Sequence, residues 1–170
     1  MGSNYLPGCR VSGDYYSAKI DEEVIEMGIV DKIVTWARIK SPWVLHLNSG
    51  GCNGCDIEIL DALTPRYDLE RFGVLLKGSP RHADVLLCSG PITKQVAKRF
   101  LRIYNQTPDP KFVVGIGSCT MSGGVFRECY NVTGGLDGVI PVDAWIPGCP
   151  PKPEAIIYGV AALLGKLAGS

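Results

Sequence analysis

The sequence predicts a doubly wound α/β domain built on a mostly parallel sheet. Three observations point there. Strand-like apolar runs alternate with helix-like amphipathic stretches along most of the chain. Two of those runs, Val85–Cys88 and Phe112–Ile116, are apolar almost throughout, as strands covered on both faces are. The Gly-rich loops that carry cysteines follow strands, where open α/β sheets place their ligands.

Residues 1–28 read as an irregular N-terminal arm, and residues 29–170 as one domain. From Ile29 to Ala37 the residues Ile29, Val30, Ile33, Val34 and Ala37 fall at helical spacing beside Lys32 and Arg38. Trp43–Leu47 is the first strand, followed by a Gly- and Cys-rich loop and a helix over about Asp56–Leu63. Gly73–Lys77 and Val85–Cys88 are two more strands. A helix follows on the stripe Val96, Ala97, Phe100, Leu101 and Tyr104. Phe112–Ile116 is the cleanest buried strand, and Ala144–Ile146 a short one. The last helix opens at Pro153–Glu154, where proline needs no amide partner and an acid complements the helix dipole. Its apolar face is Ile156, Ile157, Val160, Leu163, Leu164 and Leu167. Alternating strands and helices imply right-handed crossovers, and a flavodoxin-like sheet is the natural outcome.

Bulk properties narrow the function. Lys+Arg and Asp+Glu each total 17 in 170 residues, so no net field draws nucleic acid or an anionic membrane. Met1–Ser17 has no apolar stretch of the signal-peptide kind, and Ala155–Gly165 is too short to cross a bilayer. The expectation is an intracellular protein, at the cytoplasmic face of the membrane if its partners lie there. The Asn131–Val132–Thr133 sequon is then a chance match.

Seven cysteines are many for such a chain, and an odd number leaves one unpaired in any disulfide framework. Metal ligation is the better default. Cys52 and Cys55 lie in the loop after the first strand, Cys119 follows the Phe112 strand, and Cys149 follows the Ala144 strand. Three loops thus bring thiols to one edge of the sheet. Four thiolates satisfy a [4Fe–4S] cluster, and adjacent glycines let the backbone close around it and aim N–H groups at sulfur.

Other readings stay open. Structural zinc also takes four cysteines, usually as two short knuckles, whereas here only one pair is close. A thioredoxin-type dithiol at Cys52–Asn53–Gly54–Cys55 leaves Cys119 and Cys149 without a role. The Gly115–Ile116–Gly117 run lacks the third small residue of a dinucleotide fingerprint, because position 120 is Thr. Cys88, inside an apolar run, reads as a core residue, and Cys9 and Cys129 as non-ligands.

These motifs resemble a known family. Gly51–Cys52–Asn53–Gly54–Cys55–Asp56–Ile57–Glu58, Gly117–Ser118–Cys119 with Gly123–Gly124, and Gly148–Cys149–Pro150–Pro151–Lys152–Pro153–Glu154 resemble [NiFe]-hydrogenase small subunits. They also resemble the 20-kDa-type subunit of complex I, as do Ser79–Pro80–Arg81–His82–Ala83–Asp84–Val85 and Asp31–Arg38. The resemblance implies that Cys52, Cys55, Cys119 and Cys149 hold one proximal [4Fe–4S] cluster. Glu58 matches the acid after the second ligand, and Arg81 is expected to lend the cluster positive charge. Complex I subunits typically carry adjacent cysteines where this chain has Cys52-x-x-Cys55. That departure favours hydrogenase over quinone reductase, and together with the short length of the chain it points to the membrane-bound, energy-converting group.

The implied [NiFe] centre resides in a partner large subunit. A ferredoxin-like subunit supplies the electrons, and ion-pumping membrane subunits complete the complex. Rival expectations are the equivalent subunit of a complex I-like quinone or sulfur-compound oxidoreductase and, from another class, a zinc-stabilised structural subunit.

Overall fold

The computed structural model describes residues 36–38 and 40–168, with side chains to Gly165. The arm 1–28 and most of the Ile29–Ala37 helix lie outside the described residues; Trp36–Arg38 and Lys40 are helical. From there the chain runs β1 (Trp43–Asn48), α1 (Gly54–Ala62), β2 (Leu75–Leu76), β3 (Val85–Ser89) and β4 (Ile92–Thr93). It continues as α2 (Lys94–Gln106), β5 (Phe112–Ile116), α3 (Ser118–Ser122), β6 (Val132–Gly134), β7 (Ala144–Ile146) and α4 (Pro153–Ala168).

Five strands form one all-parallel sheet in the order β2-β1-β3-β5-β7. Renumbered along the chain, that order is 2-1-3-4-5, the flavodoxin-like doubly wound arrangement. The register is continuous across the middle of the sheet. Val44 pairs Val85, Val85 pairs Phe112, and Val114 pairs Ala144. β4 and β6 make a separate two-stranded antiparallel pair.

The sheet has a core on each face, because successive side chains of a strand point to opposite sides. On one face Val44, Val85, Leu87, Val114 and Ile116 meet residues of α1 and α4, among them Ile59, Ile156 and Val160. On the other, Leu45, Leu86, Cys88 and Val113 meet Phe100 of α2. Every residue of β3 is buried, as expected of a central strand covered twice. Each fully buried aliphatic side chain contributes roughly 1.5–3 kcal/mol, so the two cores dominate stability.

Sequence and structure agree on β5 and β7 residue for residue, and Cys88 is buried with the core as expected. α2 stops at Gln106 because Thr107 precedes Pro108, which drives the preceding residue into extended conformation; Thr107 has ψ 126°. The expected strand over Gly73–Lys77 shortens to Leu75–Leu76. Gly73, at φ 88°, is turning the chain out of the short helical turn Leu69–Phe72.

Candidate functional site at the carboxyl edge of the sheet

Parallel strands put all their carboxyl ends on one edge, so the loops leaving β1, β5 and β7 open side by side. The β1 loop carries Cys52 and delivers Cys55 into the first turn of α1. Asn53, between them, adopts left-handed conformation at φ 66°, which asparagine tolerates better than most residues. Cys119 sits in the first turn of α3, and Cys149 follows Pro147–Gly148 after β7, with a cis peptide to Pro150. The backbone ties the second and third loops together, since the Ser118 amide donates to the Gly148 carbonyl at 2.8 Å.

The four thiols feel one another. Burial first, and then the neighbouring Cys119, Cys52, Asp56 and Cys149, push the Cys55 thiol up to about 11. Burial also pushes the Cys119 thiol up, with Cys149 and Cys52 adding to it, while the Val125 backbone N–H donates to its sulfur and pulls the other way. Four thiolates at this edge therefore repel, and a bound cation is what removes that penalty.

Exposure grades across the set: Cys52 and Cys149 are exposed, Cys55 is half-buried and Cys119 buried. No group of three or more His, Cys, Asp or Glu side chains among the described residues is already drawn together as a metal site.

Glycines shape the space around the sulfurs. A Cβ on Gly117, at φ 88°, would stand 2.6 Å from Cys55 Sγ, and one on Gly124 would stand 2.9 Å from Cys119 Sγ. Gly115 serves a different purpose: a Cβ there would strike the Trp145 ring at 2.4 Å. The Gly115–Ile116–Gly117 run is thus explained by packing, with no nucleotide needed. The donor set and this cradle fit a group held by four thiolates.

Below the Cys52–Cys55 loop lies a polar network that sequence reading missed. Asp56 Oδ1 accepts from His46 Nε2 at 2.8 Å and from the Ser89 hydroxyl. Asp56 Oδ2 accepts from Asn48 Nδ2. Asn48 Oδ1 in turn accepts the amides of Gly50 at 2.7 Å and Gly51 at 3.1 Å. His46 and Ser89 come from β1 and β3, neighbours only in the folded sheet. The one available signal was period two, which puts His46 and Asn48 on one face of β1.

The remaining predicted residues separate. Glu58 lies on α1 one turn beyond Cys55, half-buried on the same side of the helix. Arg81 is not brought to the thiols. It sits in the short helical turn Pro80–His82 ahead of β3, beside Trp43 and Asp84 in a cleft of about 400 Å³. β3 itself, on the order of 13–16 Å long at 3.3 Å per residue, separates that turn from the thiol edge. Arg81, expected to lend the site positive charge, thus stands ahead of the amino end of β3, while the thiol loops leave the carboxyl ends. Motif membership says nothing about which end of a strand a residue occupies. Of the tryptophans, Trp36 is 62% exposed, while Trp43 and Trp145 are half-buried against the domain.

Comparison with known proteins agrees with this architecture. The family described as NADH ubiquinone oxidoreductase, 20 Kd subunit, matches residues 52–163. The probable membrane-bound hydrogenase subunit mbhJ of Pyrococcus furiosus is 61% identical over 129 residues, 76% of this chain and 77% of that protein. An NADH-quinone oxidoreductase subunit of Rubrobacter xylanophilus is 45% identical over 150 residues, 88% of this chain and 59% of that protein. A chain of the membrane-bound sulfane sulfur reductase, an archaeal respiratory membrane complex, superposes with TM-score 0.72 at 41% identity. That superposition covers 81% of this chain and 76% of the other. These relatives are subunits of oxidoreductase complexes.

Proposed function

The chain belongs to the family of the 20 Kd subunit of NADH ubiquinone oxidoreductase, and from that premise we propose that it is the electron-transfer small subunit of a membrane-bound, energy-converting [NiFe] hydrogenase. One observation carries the proposal. Cys52, Cys55, Cys119 and Cys149 lie on three loops that leave the carboxyl ends of β1, β5 and β7 in one parallel sheet. Cys52, Cys55, Cys119 and Cys149 would hold one [4Fe–4S] cluster, which when bound supplies a one-electron redox centre.

The chain's own residues set the conditions for it. Gly117 and Gly124 leave room beside two of the sulfurs. The Val125 amide directs a donor at Cys119, and N–H donors of this kind favour the more negative, reduced form. The ligands must be thiolates, so loading releases protons, and burial and neighbouring charge make Cys55 give up its proton less readily than an ordinary thiol. Glu58, one helical turn from Cys55, is proposed to lie just outside the ligand shell. The isolated chain then catalyses nothing. Its partners are a hydrogenase large subunit bearing the [NiFe] centre, a ferredoxin-like subunit and ion-pumping membrane subunits. Attachment through those partners at the cytoplasmic face is part of the proposal; among the described residues no helix is long and apolar enough to cross a membrane.

A second reading has its own support. The 41% identity to a sulfane sulfur reductase chain favours a complex of similar build that reduces a sulfur compound instead of protons. The Cys52-x-x-Cys55 spacing weighs against the quinone reductase branch, which typically has adjacent cysteines there.

The test is low-temperature EPR with iron and sulfide analysis on anaerobically purified chain, followed by isolation of the native complex. About four irons per chain and a reduced S = 1/2 signal lost on Cys119→Ser are expected. Hydrogen-dependent reduction of a dye by the complex separates hydrogenase from sulfur reductase. Zinc in place of iron would overturn electron transfer and leave a structural metal site.

A further inference from the structure

Asp56 directly follows Cys55, yet its carboxylate does not face open solvent as a first-turn acid ordinarily does. Its side chain is 14% exposed and that of His46 19%. One oxygen is held by His46 of β1 and Ser89 of β3; the other is held by Asn48 at the end of β1. The carboxylate thus bridges two neighbouring strands to the start of α1.

Asn48 completes the span. Its amide nitrogen serves Asp56 and, at 3.2 Å, Asn53 Oδ1, while its oxygen holds the Gly50 and Gly51 amides. Each of its polar atoms is engaged, so Asn48 connects both halves of the thiol loop to the same anchor. Ser49 pins the loop from beneath, donating its hydroxyl to the Ser89 and Gly90 carbonyls at 2.8 Å each. Gly51 and Gly90 meet closely, since a Cβ on Gly90 would lie 2.5 Å from the Gly51 nitrogen.

We infer that Asp56 is a positioning residue whose carboxylate, gripped by His46, Ser89 and Asn48, fixes the Cys52–Cys55 loop on the sheet edge. The role follows from charge and geometry. Hydrogen bonds to an ionised acceptor are the strong ones, and three donors converge on this one. The loop itself is rich in glycine, which gives up more backbone freedom on ordering than any other residue, so it needs an anchor. Removing Asp56 leaves His46, Ser89 and Asn48 facing an absent acceptor and releases the Cys55 end of the loop from the sheet. Cys119 and Cys149, on loops leaving β5 and β7, have no bond to this network and serve as internal references. The inference concerns the chain's own geometry, so it holds whether iron, zinc or nothing fills the site.

The experiment is site-resolved alkylation of the metal-free full chain with iodoacetamide under reducing conditions, read by peptide mass spectrometry. In Asp56→Ala, the Cys55 rate rises at least about fivefold relative to Cys119, the change in local opening that loss of a strong anchor brings. Asn48→Ala, which leaves the charge beside Cys55 in place, raises it in the same direction, and His46→Gln, which keeps a donor, does so least. A Cys55-to-Cys119 ratio unchanged in both Asp56→Ala and Asn48→Ala overturns the inference. Equal acceleration of all four thiols in both variants overturns it too, since that is general unfolding and not release of one loop.

Discussion

Gly117 is where the thiol site is most constrained by a single residue, and two separate facts make it so. Its φ of 88° lies where a side chain is strained, and a Cβ would stand 2.6 Å from Cys55 Sγ. Gly117→Ala therefore costs about 1–3 kcal/mol from the backbone alone and also turns the Cys55 sulfur away from the other thiols. Gly78, with nothing within 4 Å of where its Cβ would be, is the matched control. Iron content after anaerobic reconstitution should fall sharply in Gly117→Ala and stay at the parental value in Gly78→Ala. Equal iron in both would mean that the Cys55 sulfur is not a ligand in this position. At this scale the sequence was informative about residue type and poor about neighbours. The four cysteines stood out because thiols in Gly-rich loops after strands are hard to explain as core. The Asp56 network did not, because its partners lie 8, 10 and 33 positions away in the chain, and only the fold joins them.

α4 shows how an element is fitted to its place on the sheet. Glycine inside a helix ordinarily costs about 0.5–1 kcal/mol against alanine, so Gly159 in the second turn calls for a reason. Packing supplies it: a Cβ at Gly159 would come 2.7 Å from Cγ1 and Cδ1 of Ile146, a buried residue of β7. The helix lies on that edge strand only because position 159 is bare. Overpacking of this kind costs about 1–3 kcal/mol, more than the gain in helix propensity. Gly159→Ala is thus expected to lower the melting temperature, whereas Gly165→Ala, with open space around it, should leave it unchanged or raise it. Paired thermal melts decide the matter, and a higher melting temperature for Gly159→Ala would show that Ile146 simply moves aside. Long patterned elements such as α4 were legible because apolar spacing repeats over several turns. β4, β6 and α3 were not, being two, three and five residues long, too short for any period to register.

Across the whole molecule, the parallel sheet makes its two edges unequal, and that inequality determines where a partner should bind. Thiols occupy the carboxyl edge, and with them come exposed apolar side chains: Ile57 at 65%, Leu60 at 50%, Met121 at 41% and Val125 at 83%. Single exposed apolar residues need no explanation, but three on the helices that carry Cys55 and Cys119, with Val125 in the turn just after the second, form the kind of surface that interfaces cover. The redox centre proposed for this edge would also need to be shielded from solvent oxidants and brought near the next carrier, which one docked subunit would accomplish. Phe72, 66% exposed in the Leu69–Phe72 turn ahead of β2, lies toward the opposite edge and provides the comparison. Val125→Asp and Ile57→Asp bury a charge in the docked state and leave the free chain's core untouched. Recovery of the large subunit with tagged chain should fall at least about tenfold, with no change in the free chain's melting temperature. Phe72→Asp should recover the large subunit as the parent does. The reverse pattern, loss with Phe72→Asp alone, would place the large subunit at the amino edge, beside Arg81 and Trp43. The thiol site would then face solvent or another carrier, and the proposed electron path into the large subunit would fail on geometry.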